Sequence, residues 1–258
     1  TALDNRLLNL ELVKRGLAEA VLFGPDADIV SVSDVLFNKP LLVDRGEFRP
    51  ITLTHTQLIQ RGLEQFPKDF PSAGTPLVLF EITMQNLMGK GEIDERDFLD
   101  RVVTLAALGH HVLVSNFFLF YQLKRFLRRA TKAPMGILIK AAHLELLFDQ
   151  SHYKDLDGGL LEAFGKLLDQ DTRLYAYPQK TDEQCLLAES FAPTGPLKKV
   201  FDYFRETNLI SNLKGCENFD NFIHSEEARE KLRKGDPSWE KMVPEAAVAV
   251  IKSRGLFK

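Results

Sequence analysis

Four short apolar stretches decide the fold of this chain: residues 76–82 read PLVLFEI, 111–115 HVLVS, 134–139 PMGILI and 172–177 TRLYAY. Each has the length of a β-strand, and the first two are almost continuously apolar, as central strands covered on both faces are. Amphipathic stretches with helical spacing lie between them, at 94–108, 117–131 and 159–168. The alternation predicts βαβ units, and therefore a three-layer, Rossmann-like α/β fold with a mostly parallel sheet.

The segments on either side follow other patterns. Residues 1–70 contain an amphipathic helix near the start, short extended pieces at 20–23, 29–35 and 40–43, and a helix that we expect to end at Pro67. Residues 181–258 hold a long loop and several short helical patterns. We therefore expect three units: an N-terminal helix with a small β-rich unit (1–70), the α/β core (71–180), and a helical C-terminal tail packed on the core (181–258).

The composition is that of a folded protein. The chain has 258 residues, is 45% hydrophobic and carries a net charge of −3, so neither disorder nor a global affinity for nucleic acid is favoured. No apolar run is long enough to span a membrane. The two cysteines, Cys185 and Cys216, are too few for a disulfide framework and lack metal-site spacing. We expect a cytoplasmic protein, with its oligomeric state and any metal left open.

Polar residues follow three of the predicted strands. Glu81 and Thr83 end the first, Ser115 and Asn116 end the second, and Lys140 ends the third. Ligands of open parallel sheets bind beyond the carboxyl ends of the strands. A carboxylate, hydroxyls, an amide and an amine are therefore candidates for one crevice that binds an anion.

This order of residues resembles the haloacid-dehalogenase-like superfamily of phosphoryl-transfer and hydrolase domains, over about residues 75–177. The resemblance implies that Glu81 takes the position of the nucleophile, Thr83 that of the general acid, Ser115 that of the phosphate-binding hydroxyl and Lys140 that of the charge-stabilising amine. Glu81 and Thr83 replace the two aspartates of the family, and the acidic pair that would hold Mg²⁺ has no clear match. The expected function is the binding of a phosphorylated small molecule or nucleotide, with aspartate-dependent phosphatase chemistry lost; whether any reaction is catalysed, and whether Mg²⁺ is bound, stays open.

A second signal is a run of positive charge. Residues 101–144 contain seven basic and no acidic side chains. Four of the basic residues share one face of a predicted helix: Lys124, Arg125, Arg128 and Arg129. They are candidates for binding a phosphate or for docking an acidic partner in a noncatalytic interaction domain, although a solvated face paired with the protein's own acidic residues explains them equally well.

Most of the chain also resembles an uncharacterised bacterial family, through ALDNRLLNL at 2–10, EIT at 81–83 and GDPSWEKMVP at 235–244. Its members carry inherited names such as nicotinate-nucleotide adenylyltransferase or TonB-dependent receptor; the composition gives the second no support. The first name implies a Gly-x-Phe-x-Pro-x-His-x-Gly-His loop after the first strand and a later Ser-x-x-x-x-Arg element. Gly109-His110-His111 alone does not supply them, which leaves adenylyl transfer as the last of the alternatives.

Overall fold

A single eight-stranded sheet forms the centre of the computed structural model, which describes residues 4–88, 91–180, 185–214 and 223–257. The strands are β1 (Ala20–Phe23), β2 (Ile29–Val30), β3 (Leu41–Arg45), β4 (Leu77–Thr83), β5 (His111–Ser115), β6 (Met135–Lys140), β7 (Thr172–Tyr177), β8 (Gln179–Lys180), β9 (Cys185–Leu186) and β10 (Ile210–Asn212). β8 and β9 pair only with each other within the described residues.

The α-helices are α1 (Asn5–Lys14), α2 (Val32–Leu36), α3 (Leu53–Asp69), α4 (Met84–Met88), α5 (Glu95–Ala106), α6 (Phe120–Leu127), α7 (Leu144–Leu147), α8 (Gly159–Leu167), α9 (Leu197–Glu206), α10 (Ser225–Lys234) and α11 (Glu245–Arg254). Asp94 caps the N-terminus of α5, because its carboxylate accepts hydrogen bonds from the amides of Arg96 and Asp97. α3 continues through Pro67 rather than ending there, and it stops within the same turn. Within the described residues no helix has the length and apolar character needed to cross a bilayer.

Six strands of the sheet are parallel, as the alternation of strands and helices predicted. The order across the sheet is β10-β7-β6-β3-β4-β5-β1-β2. Numbered along the chain, the parallel strands run 3-2-1-4-5-6, which is the order of a doubly wound sheet with its reversal between β3 and β6. β1 and β2 extend the β5 edge as antiparallel strands. The mostly parallel, Rossmann-like α/β fold is thereby confirmed.

Two apolar clusters cover the sheet, one on each side. The first, on what we call face A, packs Leu42, Phe80 and Leu138 against helices that include α3, α5 and α11. The second, on face B, packs Leu41, Val43 and other strand residues against helices that include α6, α8 and α9. Neighbouring residues of one strand alternate between the faces because successive side chains point to opposite sides. The molecule therefore has three layers.

The centre of the sheet comes from an unexpected part of the chain. β3 lies between β4 and β6, and its residues 41–43 are fully buried, although they belong to the segment predicted as a flanking unit. β10, from the predicted C-terminal tail, pairs with β7. One sheet therefore draws strands from all three predicted units.

Candidate functional site

The strand order reverses between β3 and β6, and doubly wound sheets bind their ligands beyond the carboxyl ends of the strands at such a reversal. Asp44 lies near the end of β3 and Lys140 ends β6. By strand alternation both side chains are on face A, as is Tyr177, the register partner of Lys140 on β7. α3 crosses the same region and supplies His55. We call Asp44, His55, Lys140 and Tyr177 the switch crevice.

Asp44 is the least satisfied group of this crevice. Its side chain is 1% exposed, and its Oδ2 atom has no hydrogen-bond partner. Burial raises the pKa of Asp44 to about 7, against the opposing effect of the Lys140 ammonium. Burial and the neighbouring Asp44 also raise the pKa of Tyr177 well above its usual range. A buried carboxylate oxygen without a donor is costly, so this atom requires a partner from outside the chain, such as a water, an ion or a ligand.

The imidazole ring of His55 has one hydrogen-bond donor. Burial, and then the Lys140 ammonium, lower the pKa of His55 to about 3, so the imidazole is neutral near pH 7. Its Nδ1 atom accepts a hydrogen bond from the amide of Thr52 at 3.2 Å. Because Nδ1 accepts, the single ring proton of the neutral imidazole resides on Nε2.

Side chains of α4 and α5 form hydrogen bonds with the main chain of the loop between β3 and α3. Asn86 donates from Nδ2 to the carbonyl of Gly46 at 3.1 Å, and Arg101 donates to the carbonyl of Glu47 at 3.1 Å. Arg101 is only 2% exposed and forms an ion pair with Asp97 at 2.5 Å. A Cβ atom on Gly46 would lie 2.9 Å from the ring of Phe48, so only glycine fits there. The loop therefore has one well-defined conformation before any ligand binds.

The residues of this loop follow the adenylyltransferase pattern that sequence analysis sought elsewhere. Residues 46–55 read GEFRPITLTH, which places Gly46, Phe48, Pro50 and His55 at matching positions of Gly-x-Phe-x-Pro-x-His-x-Gly-His. Threonines stand where the pattern has its first histidine and its last glycine. The match was missed because β4 was taken as the first strand of the sheet, whereas the loop follows β3.

The second element of the pattern is incomplete. Ser211 lies on β10, but Cys216 stands five residues later where Ser-x-x-x-x-Arg requires an arginine. No serine of the chain is followed by arginine at that distance. Cys216 is outside the described residues. The chain thus matches four of the six fixed positions of the adenylyltransferase loop and lacks the arginine of the second element.

The C-terminal part of the chain contacts the start of α3. The amide of Leu53 donates to the carbonyl of Met242 at 2.9 Å. Thr52 donates from its hydroxyl to the carbonyl of Ile223 at 3.2 Å, and the amide of Ile223 donates to the hydroxyl of Thr54 at 2.9 Å. Three groups at this helix N-terminus are therefore already hydrogen-bonded to the chain itself.

Glu81 and Ser115 come together, but on face B and away from the switch crevice. Both oxygens of Glu81 accept from Arg45, at 2.6 and 3.0 Å, and Ser115 donates to the same carboxylate at 2.6 Å. Thr83 accepts from the amide of Asn86 at 3.2 Å. Lys140 is on the opposite face of the sheet, so the structure does not unite it with Glu81 and Ser115. The main-chain amide of Asn116 donates a hydrogen bond to the carbonyl of Glu19.

The predicted haloacid-dehalogenase-like function is wrong. A carboxylate that attacks phosphorus needs a free oxygen that substrate can reach, whereas the fully buried Glu81 has both oxygens engaged by Arg45. Moreover, Glu81 lies on the second parallel strand in chain order, not on the first, where the resemblance placed it.

The four basic residues of α6 are mostly engaged within the chain. Lys124 is buried and pairs with Asp169 at 2.5 Å. Arg128 donates to the carbonyls of Ala133 and Asp171, which joins α6 to the start of β7. Arg129 pairs with Glu19, and Arg125 is exposed without an ion pair to any other described residue. A docking role for this helix stays a prediction, with Arg125 as its most accessible cation.

An open groove of about 720 Å³ lies between α8 and α9 on face B. Its walls are chiefly apolar, with Leu161 and Tyr203 more than half exposed. None of the four residues of the switch crevice lines this groove, and we assign no ligand to it.

Comparisons with known proteins give a distant structural likeness. No protein-family model matches the chain, and neither does any curated protein sequence. Two matching solved structures are of Plasmodium falciparum nicotinic acid mononucleotide adenylyltransferase, one complexed with NaAD and one with APC. Each is 15% identical and covers 85% of this chain and 98% of its own, with TM-scores of 0.48 and 0.46. Because the similarity is so distant, we infer nothing about this chain's ligand from it.

Proposed function

We propose that this chain binds a nucleotide in the switch crevice, in a site built like that of a nucleotidyltransferase. The observation that carries the proposal is the unpaired, buried carboxylate oxygen of Asp44 at the reversal of strand order, on the same sheet face as Lys140 of the neighbouring strand. Doubly wound sheets bind their nucleotides at this position. The pattern of the loop at residues 46–55 supports the same class of ligand.

Each group of the crevice has a role that its chemistry supports. The side chain of Lys140 has neither a hydrogen bond nor an ion pair with any other described residue, so its ammonium is available for a phosphate. Asp44 accepts a hydrogen bond from a hydroxyl or amide donor of the ligand, which satisfies its orphan oxygen. His55 donates from Nε2. These three contacts would fix the phosphate and the sugar of one nucleotide.

Isothermal titration calorimetry with nucleotides tests the proposal. We expect at least one nucleotide to bind the wild-type chain, and Lys140→Met to weaken that binding by about tenfold or more, because a hydrogen bond to a charged group is lost. Lys154→Met removes an exposed lysine far from β3 in sequence and serves as the matched control. The absence of binding by any nucleotide, or equal affinities for wild type and Lys140→Met, would contradict the proposal.

Adenylyl transfer is the second candidate, because residues 46–55 match the loop of that reaction at four positions. Thr52, Thr54 and the missing arginine after Ser211 depart from the pattern. Pyrophosphate release from ATP in the presence of nicotinate mononucleotide measures this activity directly. Turnover that Lys140→Met abolishes would establish it, and no release above the buffer rate would exclude it for this substrate pair.

A further inference from the structure

The cations around the switch crevice are nearly all neutralised within the chain. Arg45 follows Asp44 on β3 but lies on face B, where both oxygens of Glu81 hold it. Arg49 and Arg101 share the carboxylate of Asp97. Among the described residues that approach the crevice, Lys140 is the cation without an ion-pair partner. A ligand would therefore meet one uncompensated positive charge.

A negative group, Asp44, lies on the same face at the neighbouring strand end. The pKa of Asp44 is about 7, so its carboxyl is ionised in about half of the molecules at neutral pH. The Lys140 ammonium lowers this pKa, which indicates that the two groups are close in space. The net positive charge offered to a ligand thus stays at or below one.

The other donors that commonly hold phosphates are not free. Helix N-termini bind phosphates through their first amides and nearby hydroxyls. At the start of α3 the amide of Leu53 and the hydroxyl of Thr52 donate to main-chain carbonyls of Met242 and Ile223, and the hydroxyl of Thr54 accepts from Ile223. The carbonyl oxygens of Met242 and Ile223 at this helix start would repel additional negative charge.

We propose that the switch crevice accepts a nucleotide with a single phosphate and discriminates against the triphosphate of the same nucleoside. This inference rests on the proposed nucleotide binding and not on adenylyl transfer, which would require the crevice to accept ATP. A phosphomonoester carries a charge of about −2 at neutral pH and a triphosphate roughly twice as much. Lys140 offsets part of the first charge, whereas the additional phosphates of a triphosphate would lie unpaired near Asp44 and the carbonyls.

Calorimetric titration of adenosine, AMP and ATP, and of nicotinate mononucleotide, tests the inference without relying on activity. We expect at least one monophosphate to bind, AMP to bind about tenfold or more tightly than ATP, and Lys140→Met to reduce the affinity for monophosphates to that for the nucleoside. Lys154→Met should leave the whole series unchanged. Affinity of Lys140→Met for adenosine shows that the variant crevice is intact, because the nucleoside has no phosphate for Lys140 to contact.

The outcomes distinguish the single-phosphate inference from the proposed nucleotide binding. If ATP binds as tightly as AMP or more tightly, the single-phosphate inference is overturned while nucleotide binding stands. If none of the nucleotides binds, the proposed function fails and the inference fails with it. Asp44→Asn gives a second measurement: it removes the negative charge, so we expect the preference for AMP over ATP to shrink, and an unchanged preference would remove Asp44 from the explanation.

Discussion

Replacing Asp44 by asparagine should change how the stability of the protein depends on pH. In the folded protein the pKa of this buried carboxyl is about 7, while its ordinary value is 3.8. Between these values the unfolded chain releases the proton and the folded protein keeps it. Stability therefore falls as pH rises through this window, since the folded state binds more protons.

The size of the effect follows from the two pKa values. Keeping the Asp44 carboxyl buried disfavours folding by about 4 kcal/mol at pH 8 and by about 2 kcal/mol at pH 5. Asp44→Asn lacks a titrating group at this position. Relative to the variant, the wild-type free energy of unfolding should decrease by about 2 to 3 kcal/mol between pH 5 and pH 8.

Urea denaturation of both proteins at several pH values between 5 and 8 measures this difference. Burying an amide at position 44 has its own cost, but that cost is independent of pH and shifts the variant curve by a constant. Asp26→Asn, at an exposed turn, is the matched control and should run parallel to wild type. If the curve of Asp44→Asn also runs parallel to wild type, the pKa of Asp44 is not raised and the reasoning about the crevice is refuted.

Four further substitutions test packing and the face B network. Gly136→Ala would place a Cβ 2.5 Å from Cε2 of Tyr175, so we expect a loss of about 1 to 3 kcal/mol in thermal unfolding; an unchanged Tm would contradict the close packing of β6 on β7. Gly165→Ala, in the exposed middle of α8 where a Cβ meets nothing within 4 Å, should instead stabilise by up to about 1 kcal/mol. Glu81→Gln should destabilise by about 3 kcal/mol because it leaves Arg45 without its charge partner, whereas Ser115→Ala should cost about 1 kcal/mol; similar costs for the two would argue against the ion pair as the main interaction.

The strands of the core were predictable because their apolar runs are long enough to identify burial. β4, β5, β6 and β7 lie within one residue of their predicted bounds at each end. The strand order was not predictable, because periodicity shows that a segment is buried without showing which segments are neighbours. The position of β3 depends on α3 packing closely over it: a Cβ on Gly62 would lie 2.9 Å from Leu42 and 3.2 Å from Leu138.

Of the candidate site, Lys140 was predicted from the sequence, and the other residues were missed for the same reason. Glu81 attracted attention as a polar strand end, but its partner Arg45 is 36 residues earlier in the chain and becomes its neighbour only through the pairing of β3 with β4. Asp44 was passed over because a single acid after a short apolar run has no local signature. The loop at residues 46–55 did carry a signal, and assigning β3 to the sheet would have revealed it.

The contacts of Ile223 and Met242 with the start of α3 have a consequence for synthesis of the protein. β3 and the loop are synthesised well before Ile223 and Met242, which complete this edge of the crevice. A nascent or truncated chain that stops before these residues can form the beginning of the binding site but cannot finish it.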